Sequence, residues 1–418
     1  MYLSYFDIES VSDSSQKRTI SKLNKYREEV QGVFENNDSR KPEYSLAHAK
    51  DVDLHKQIDE IKKQFKSIQH LVLVGIGGSN LGTEAIHAVL DKGEVELHTL
   101  DTVSAHDIEK LLKELRSVRS VRKIALCVIS KSGNTAETLV NAGVVIEALE
   151  KRFKKKIYQQ TIFIGDSDTD FIKTGNRLGC KTFTMPTIVG GRFSVTTEVS
   201  LIPLALLKHD TDSFISGIVE ASTEEYEEIV AENASRLFHY INKGFSHYNF
   251  FAFEPRLFKL GAWYRQLIAE SLGKEFDNKK KPVTKGFVPT ISTAVELHSV
   301  GQLYMSGFDG VYTDFVTFDD EDTDFDIPNK GVSKTYGRFG VQEVATAIYG
   351  GVMAAYQEKS LPYRSTIFDE DLAYSLGLFM AMRMRETMYV ANLMDVNAFN
   401  QPNVELYKIK TREILGLE

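Results

Sequence analysis

Two stretches of this chain place glycines and hydroxyls where an anion could be held. In "LVLVGIGGSNLGTEA" (71–85), β-forming residues lead into glycines and a serine, then into a helix-like pattern. Gly75 and Gly77 fit the dinucleotide fingerprint G-x-G-x-x-G, but its third glycine is replaced by Asn80. Gly77 and Gly82 fit a nucleotide P-loop, but Thr83 stands where that loop needs lysine. Both templates fail at a residue that carries their chemistry. What remains is common to both: glycines admit close backbone approach, and the next helix offers free N–H groups and a partial positive charge. With Gly78 and the Ser79 hydroxyl, the turn suits a small anion such as phosphate, with no lysine clamp. The plainer alternative is a tight strand–helix turn whose glycines serve packing.

The second stretch, "CVISKSGNTAETLVNA" (127–142), also follows a β run and precedes a helix. Ser130, Ser132 and Thr135 surround Gly133 with three hydroxyls, a neutral cradle for a phosphate monoester. Lys131 either adds charge there or points to solvent. Thr135 with Glu137 and Thr138 also suits an ordinary helix cap. Two such turns, both at strand ends of one sheet, favour the ligand reading.

The elements that must position these turns alternate. Strands are expected at 70–76, 96–101, 123–130, 161–166 and 181–186, and helices at 82–90, 105–115, 138–152 and 168–178. Such alternation implies a parallel sheet with helices on both faces and ligand-binding loops at the strands' carboxyl ends. The pattern recurs with strands at 248–253, 288–292 and 311–318 and helices at 256–273 and 293–305. "GGRFSVTTEVSLIPLALL" (190–207) reads as a turn and apolar helix joining the two units. A polar N-terminal region carries a helix across 16–36. The acidic run "DDEDTDFD" (319–326) reads as a solvated loop; it lacks the glycine of a calcium loop. The expected class is therefore α/β with two doubly wound parallel-sheet domains. The expected divisions are an N-terminal helical extension (1–45), a first domain (46–207), a second (208–385) and a C-terminal helical segment (386–418) that contributes to the active site.

Composition sets outer bounds. With 50 basic and 58 acidic residues and a net charge of −8, the chain is a poor general nucleic-acid binder. Two cysteines, Cys127 and Cys180, cannot form a disulfide framework; buried free thiols and a cytoplasmic location are expected. The opening "MYLSYFDIESVSDSS" lacks the regions of a signal peptide, and no apolar stretch approaches the roughly 20 residues of a membrane span.

The two turns resemble those of sugar isomerase (SIS) domains, and the whole chain resembles the glucose-6-phosphate isomerase family. The resemblance continues in order through "GGRFSV" (190–195), "QLIAESLGKE" (266–275), "ELHSVGQ" (296–302) and "QPNVELYK" (401–408). It implies two SIS domains and reversible conversion of glucose 6-phosphate to fructose 6-phosphate, within glycolysis and gluconeogenesis. The implied route is ring opening, then base-catalysed proton transfer through a cis-enediolate, without metal or cofactor.

By this resemblance Glu270 is the base. Its neighbours Ile268, Ala269 and Leu272 could desolvate it, although pairing with Lys274 at i+4 is the ordinary alternative. Arg192, after Gly190 and Gly191, is the implied oxyanion stabiliser; otherwise it would pair with Glu198. His298 is the implied ring-opening residue, reaching the other subunit's site in a homodimer, and Lys408 contacts the ring oxygen. Gln266 and Gln401 match substrate and phosphate contacts. Asn134 departs from the family's usual threonine, and Glu296 from the aspartate of close bacterial relatives. Three alternatives stand beside this reading. They are an isomerase that also takes mannose 6-phosphate, a sugar-phosphate-binding protein without catalysis, and a magnesium-dependent phosphatase suggested by "IGDSDTD" (164–170). In the last, Asp170 occupies a position that should hold Thr or Val.

Overall fold

The computed structural model describes residues 1–8, 11–319, 324–369 and 371–417. The chain opens with β1 (Tyr2–Phe6) and α1 (Asp13–Asn36), whose first turn is capped by the Ser12 hydroxyl. After α2 (Val52–Gln64) the first α/β unit runs through β2 (His70–Val74), α3 (Leu81–Leu90), β3 (Glu96–Leu100), α4 (Ala105–Glu114) and β4 (Ile124–Ile129). It continues with α5 (Ala136–Phe153), β5 (Thr161–Gly165), α6 (Asp170–Leu178) and β6 (Lys181–Thr184). Its five strands are all parallel, in the order β3-β2-β4-β5-β6. Every residue of β4 is buried, as expected of a strand covered by helices on both faces.

Three helices follow: α7 (Glu198–Leu206), α8 (Thr211–Glu220) and α9 (Glu224–Lys243). The second unit comprises β7 (His247–Ala252), α10 (Phe258–Leu272), β8 (Val288–Thr293), β9 (Val311–Phe318), α11 (Val341–Glu358), β10 (Tyr363–Phe368) and α12 (Leu372–Leu393). The chain then passes to α13 (Glu405–Ile414). This sheet has the order β1-β10-β9-β7-β8. Four strands are parallel, and β1 closes the edge antiparallel to β10, Tyr2 opposite Ile367 and Phe6 opposite Tyr363.

Several elements differ from the sequence reading. The N-terminal region begins with a strand, because the exposed edge of β10 has backbone groups that β1 can satisfy. The helix α12 runs continuously through residues 385 and 386. The helix expected over 293–305 is absent. A capping box between Thr293 and Glu296 starts only a 3-10 turn, Ala294–His298. Ser299, at φ −141° and ψ −93°, ends it before a separate π-type turn at Leu303–Gly307. Of the acidic run, residues 320–323 lie outside the described residues. Asp324 accepts from the Phe325 and Gln342 amides at 2.8 and 2.9 Å, so a carboxylate of that run serves its own loop.

The second unit's core holds charge. Arg364 donates to Asp314 at 2.8 and 3.0 Å and to Glu386 at 2.7 Å, and Arg383 donates to Glu386 at 3.0 Å. All four side chains are buried. Two arginines and two carboxylates make the group neutral, and Tyr264 adds a hydrogen bond to Glu386 at 2.8 Å. This balance lets α12 carry Arg383 and Glu386 while buried along almost its whole length. Beside it, α8 and α12 cross through reciprocal glycines: a Cβ on Gly217 would stand 2.0 Å from the Tyr374 carbonyl oxygen, and one on Gly377 2.0 Å from that of Phe214.

Candidate active site

The site forms where the carboxyl ends of β2 and β4 meet α10, the chain just before α7 and the chain just after α12. After β2 the chain makes a 3-10 turn, Gly77–Ser79, and α3 begins at Leu81. Gly77 has φ +63°, a left-handed conformation that suits glycine, and a Cβ there would lie 2.8 Å from Gln266 Nε2. At Gly78 the constraint is closer: a Cβ would lie 2.1 Å from the carbonyl carbon and oxygen of Gly191. The first glycine turn is thus pressed onto the "GGR" turn and onto α10. Asn80, where a dinucleotide fingerprint has glycine, is buried and donates to Glu84 at 3.2 Å.

The second turn follows β4. Ser130 Oγ donates to Thr135 Oγ1 at 3.1 Å, and Ser132 Oγ accepts from the Asn134 amide at 3.3 Å. Thr135 precedes the first residue of α5, yet its side chain makes no capping bond. The helix-cap alternative is therefore not what its hydroxyl does. Lys131 points inward: Nζ donates to the Val189 carbonyl at 2.9 Å, and burial pulls its pKa below the usual lysine value. The two turns thus meet at the segment that carries Arg192.

Arg192 lies in the 3-10 turn Gly191–Thr196 and is only 3% exposed. Its Nη1 donates to Glu270 Oε2 and to Gln401 Oε1, each at 3.0 Å. Nε donates to Ser271 Oγ at 2.8 Å, and Nη2 donates to the carbonyls of Asn400, at 3.2 Å, and Ala398. Burial lowers its pKa while Glu270 raises it, and a guanidinium remains charged in such a setting. The expected alternative partner, Glu198, is instead 3.1 Å from His48.

Glu270 sits one turn after Gln266 on the same face of α10. Gln266 Nε2 donates to Glu270 Oε1 at 3.0 Å, so each carboxylate oxygen has one donor. The side chain is 32% exposed, half-buried rather than fully buried, because this face of α10 opens onto the cleft. Lys274 does not pair with the Glu270 carboxylate. Its ammonium binds the backbone carbonyls of Glu270 and Asn400, and desolvation, then the Arg192 charge, pull its pKa down to about 8.

The structure brings Gly78, Gly191, Arg192, Gln266, Glu270 and Gln401 into one cluster, with Lys131 at its margin. It does not bring His298 or Lys408 there. His298 is exposed at the end of its 3-10 turn, and no hydrogen bond or ion pair among the described residues joins it to the cluster. Lys408 projects from α13 and pairs with Glu405 at 2.7 Å. Sequence reasoning missed Ser271 and Lys274 as parts of the site. Both stand in "QLIAESLGKE", and the i+4 spacing of Lys274 from Glu270 was the available signal.

Comparison with known proteins shows the family. A family model described as phosphoglucose isomerase matches residues 14–328. The glucose-6-phosphate isomerase of Carboxydothermus hydrogenoformans is 29% identical over 393 residues, covering 88% of this chain and 82% of the relative. That of Thermus thermophilus is 29% identical over 377 residues, covering 88% of each. Among solved structures, a hypothetical protein from Thermus thermophilus superposes with a TM-score of 0.86 at 26% identity, over 99% of this chain and all of that one. A Chlamydia trachomatis glucose-6-phosphate isomerase shares the fold, with a TM-score of 0.81 at 16% identity over 99% of this chain and 88% of that one. The chain belongs to the phosphoglucose isomerase family and is an isomerase.

Proposed function

We propose that this chain interconverts glucose 6-phosphate and fructose 6-phosphate. The observation that carries the reading is the convergence of Arg192, Gln266 and Gln401 on Glu270, beside two turns suited to phosphate. In this reading Ser79 and the Ser130–Ser132–Thr135 hydroxyls, with the amides opening α3 and α5, hold the phosphate. Glu270 takes the proton from C2 and returns it to C1, while the hydroxyl proton of O2 passes to O1, so that the carbonyl moves from C1 to C2. Its two donors hold the carboxylate in one orientation before the transfer. When Glu270 is protonated its attraction for Arg192 falls, and Nη1 is released toward the enediolate oxygen as charge develops there. Every bond of this scheme is made and broken at carbon, oxygen and the Glu270 carboxyl, and no metal or cofactor takes part.

Ring opening is assigned to His298 and Lys408. His298 is exposed outside the cluster, where a neighbouring copy could be reached, and in this reading a homodimer shares this histidine. The buried free thiols Cys127 and Cys180 suit a reducing, cytoplasmic setting, and in this reading the reaction serves glycolysis and gluconeogenesis. No helix among the described residues is long and apolar enough to cross a membrane.

The test is a coupled assay on fructose 6-phosphate, glucose 6-phosphate and mannose 6-phosphate. Rapid exchange of the first two is expected. Absence of that exchange overturns the proposal, and turnover of mannose 6-phosphate at a comparable rate overturns its specificity.

A further inference from the structure

We infer that the chain carries a divalent transition-metal site, fitted to Zn²⁺, at the opposite end of the first sheet from the isomerase site. Three residues build it: His70 at the start of β2, and Glu96 and His98 on β3. In the parallel register His70 is level with Glu96, and the two-residue period of a strand puts Glu96 and His98 on one face. The three side chains therefore converge on one side of the sheet edge. His70 Nδ1 is 3.2 Å from His98 Nε2 and 3.2 Å from Glu96 Oε2, and His98 Nε2 is 3.8 Å from Glu96 Oε2. A tetrahedral zinc ion with ligands at about 2.0–2.1 Å spaces its donor atoms roughly 3.4 Å apart. The triangle has those dimensions, and two imidazoles with one carboxylate are a zinc donor set that leaves the fourth position to water.

A second observation supports the assignment. The other nitrogen of His98, Nδ1, lies 3.3 Å from Glu114 Oε2, contributed by the last residue of α4. A carboxylate accepting from Nδ1–H holds the proton there and directs the Nε2 lone pair at the cluster. Metal-ligating histidines are oriented in this way. The His98 side chain is 8% exposed, His70 18% and Glu96 60%, so two nitrogens are preorganised and the carboxylate leaves a path for the ion. Without the ion, an Nδ1–H tautomer of His70 would bridge the three groups; to bind the cation, Nδ1 offers its lone pair and the neutral imidazole carries its proton on Nε2. The bound ion is a cross-link with an open fourth position. It ties the edge strand β3 to β2, and through Glu114 to α4, at the amino ends of strands whose carboxyl ends carry the isomerase cluster.

The experiment uses the full chain, stripped with a chelator and dialysed, then titrated with Zn²⁺ against a chromophoric competitor and separately with Co²⁺. The expected result is one equivalent bound, visible Co²⁺ bands of tetrahedral intensity, and a zinc-dependent rise in melting temperature. Glu96→Gln, at an exposed position where folding is not at issue, and Glu114→Gln should each weaken zinc binding by about 10–100-fold. His70→Ala with His98→Ala should abolish binding and the thermal shift. Isomerase turnover should be the same in stripped and loaded protein. No stoichiometric binding, a weak octahedral Co²⁺ spectrum, or unchanged affinity in Glu96→Gln overturns the site and shows a purely hydrogen-bonded trio. None of these results bears on the isomerase reading, which is assayed separately.

Discussion

Replacing Glu270 by glutamine removes the proton acceptor while keeping its shape. The Glu270 carboxylate accepts from Arg192 on one oxygen and from Gln266 on the other, each at 3.0 Å. In the Glu270→Gln variant the side-chain carbonyl oxygen can still accept from Arg192. The new amide nitrogen then faces Gln266, which rotates its own amide to present oxygen in place of nitrogen. Arg192 keeps its bonds to Ser271, Gln401 and the Ala398 and Asn400 carbonyls. The structural loss is one charge-assisted hydrogen bond at a half-buried position, about 1–2 kcal/mol, so the variant should fold. The catalytic loss is larger. A positioned general base contributes about 10²–10⁴-fold, or roughly 2.7–5.4 kcal/mol at 1.36 kcal/mol per decade. The prediction is a fall of that size in kcat, with KM changed by no more than a few-fold, because the turns assigned to the phosphate are untouched. A coupled dehydrogenase assay gives kcat and KM, and calorimetry with glucose 6-phosphate gives the affinity. Turnover within about tenfold of the parent, or a loss of affinity that accounts for the loss of activity, would refute the assignment of Glu270 as the base.

Other perturbations test neighbouring features. Lys274 titrates at about 8. If its charge aids the bound sugar phosphate, kcat/KM should fall above that pH, and Lys274→Arg should move this limb to higher pH; an unmoved limb rules Lys274 out. The linked stability has a definite sign. Between about 8 and the ordinary lysine value of 10.5 the unfolded chain binds more protons, so Lys274 makes stability rise with pH across that window. Gly78→Ala drives a methyl into the Gly191 carbonyl and should lower kcat/KM by about 10²-fold, while Gly143→Ala, with no atom near its Cβ, should be neutral. An active Gly78→Ala enzyme would show that the two turns are not tightly apposed. Arg364→Met leaves Arg383 as the one cation paired with both Asp314 and Glu386 among the described residues and should cost about 3–5 kcal/mol in a denaturant titration. A loss under about 1 kcal/mol would mean water reaches the group.

The first unit was largely legible in the chain, because its central strands β2, β4 and β5 are buried and mostly apolar runs. "KIALCVIS" is apolar on both sides and becomes β4, and the helix-like stretch after each strand becomes a crossover helix. The two glycine turns were legible for the same reason: a strand, a glycine and a helix start are local events. The second unit was read less completely. The strands β1 and β10 and the helices α11 and α12 have no comparably clear local signature. The strand β1 exists because β10 offers an edge, and α12 reads "MAMRMRETM", with charges that a local rule places at the surface. Arg383 and Glu386 are inside because Asp314 and Arg364 come from distant strands to neutralise them, while Arg385 donates to Ser222 at 2.8 Å.

Local patterning in the residues was therefore enough for the class of fold, the turn positions and, through the family resemblance, the candidate groups Arg192, Glu270 and Gln266. Which of those groups meet was decided only when the chain closed. Arg192 and Glu270 stand 78 residues apart, and Arg192 and Gln401 stand 209 apart. Nothing in either neighbourhood specifies the other, and a guanidinium or a helix glutamate by default faces water. Burial of Arg192 against the returning C-terminal segment is what turns it from a solvated cation into one aimed at Glu270. Long-range closure of that kind also left His298 and Lys408 on the surface and gathered His70, Glu96 and His98 at the far end of the same sheet.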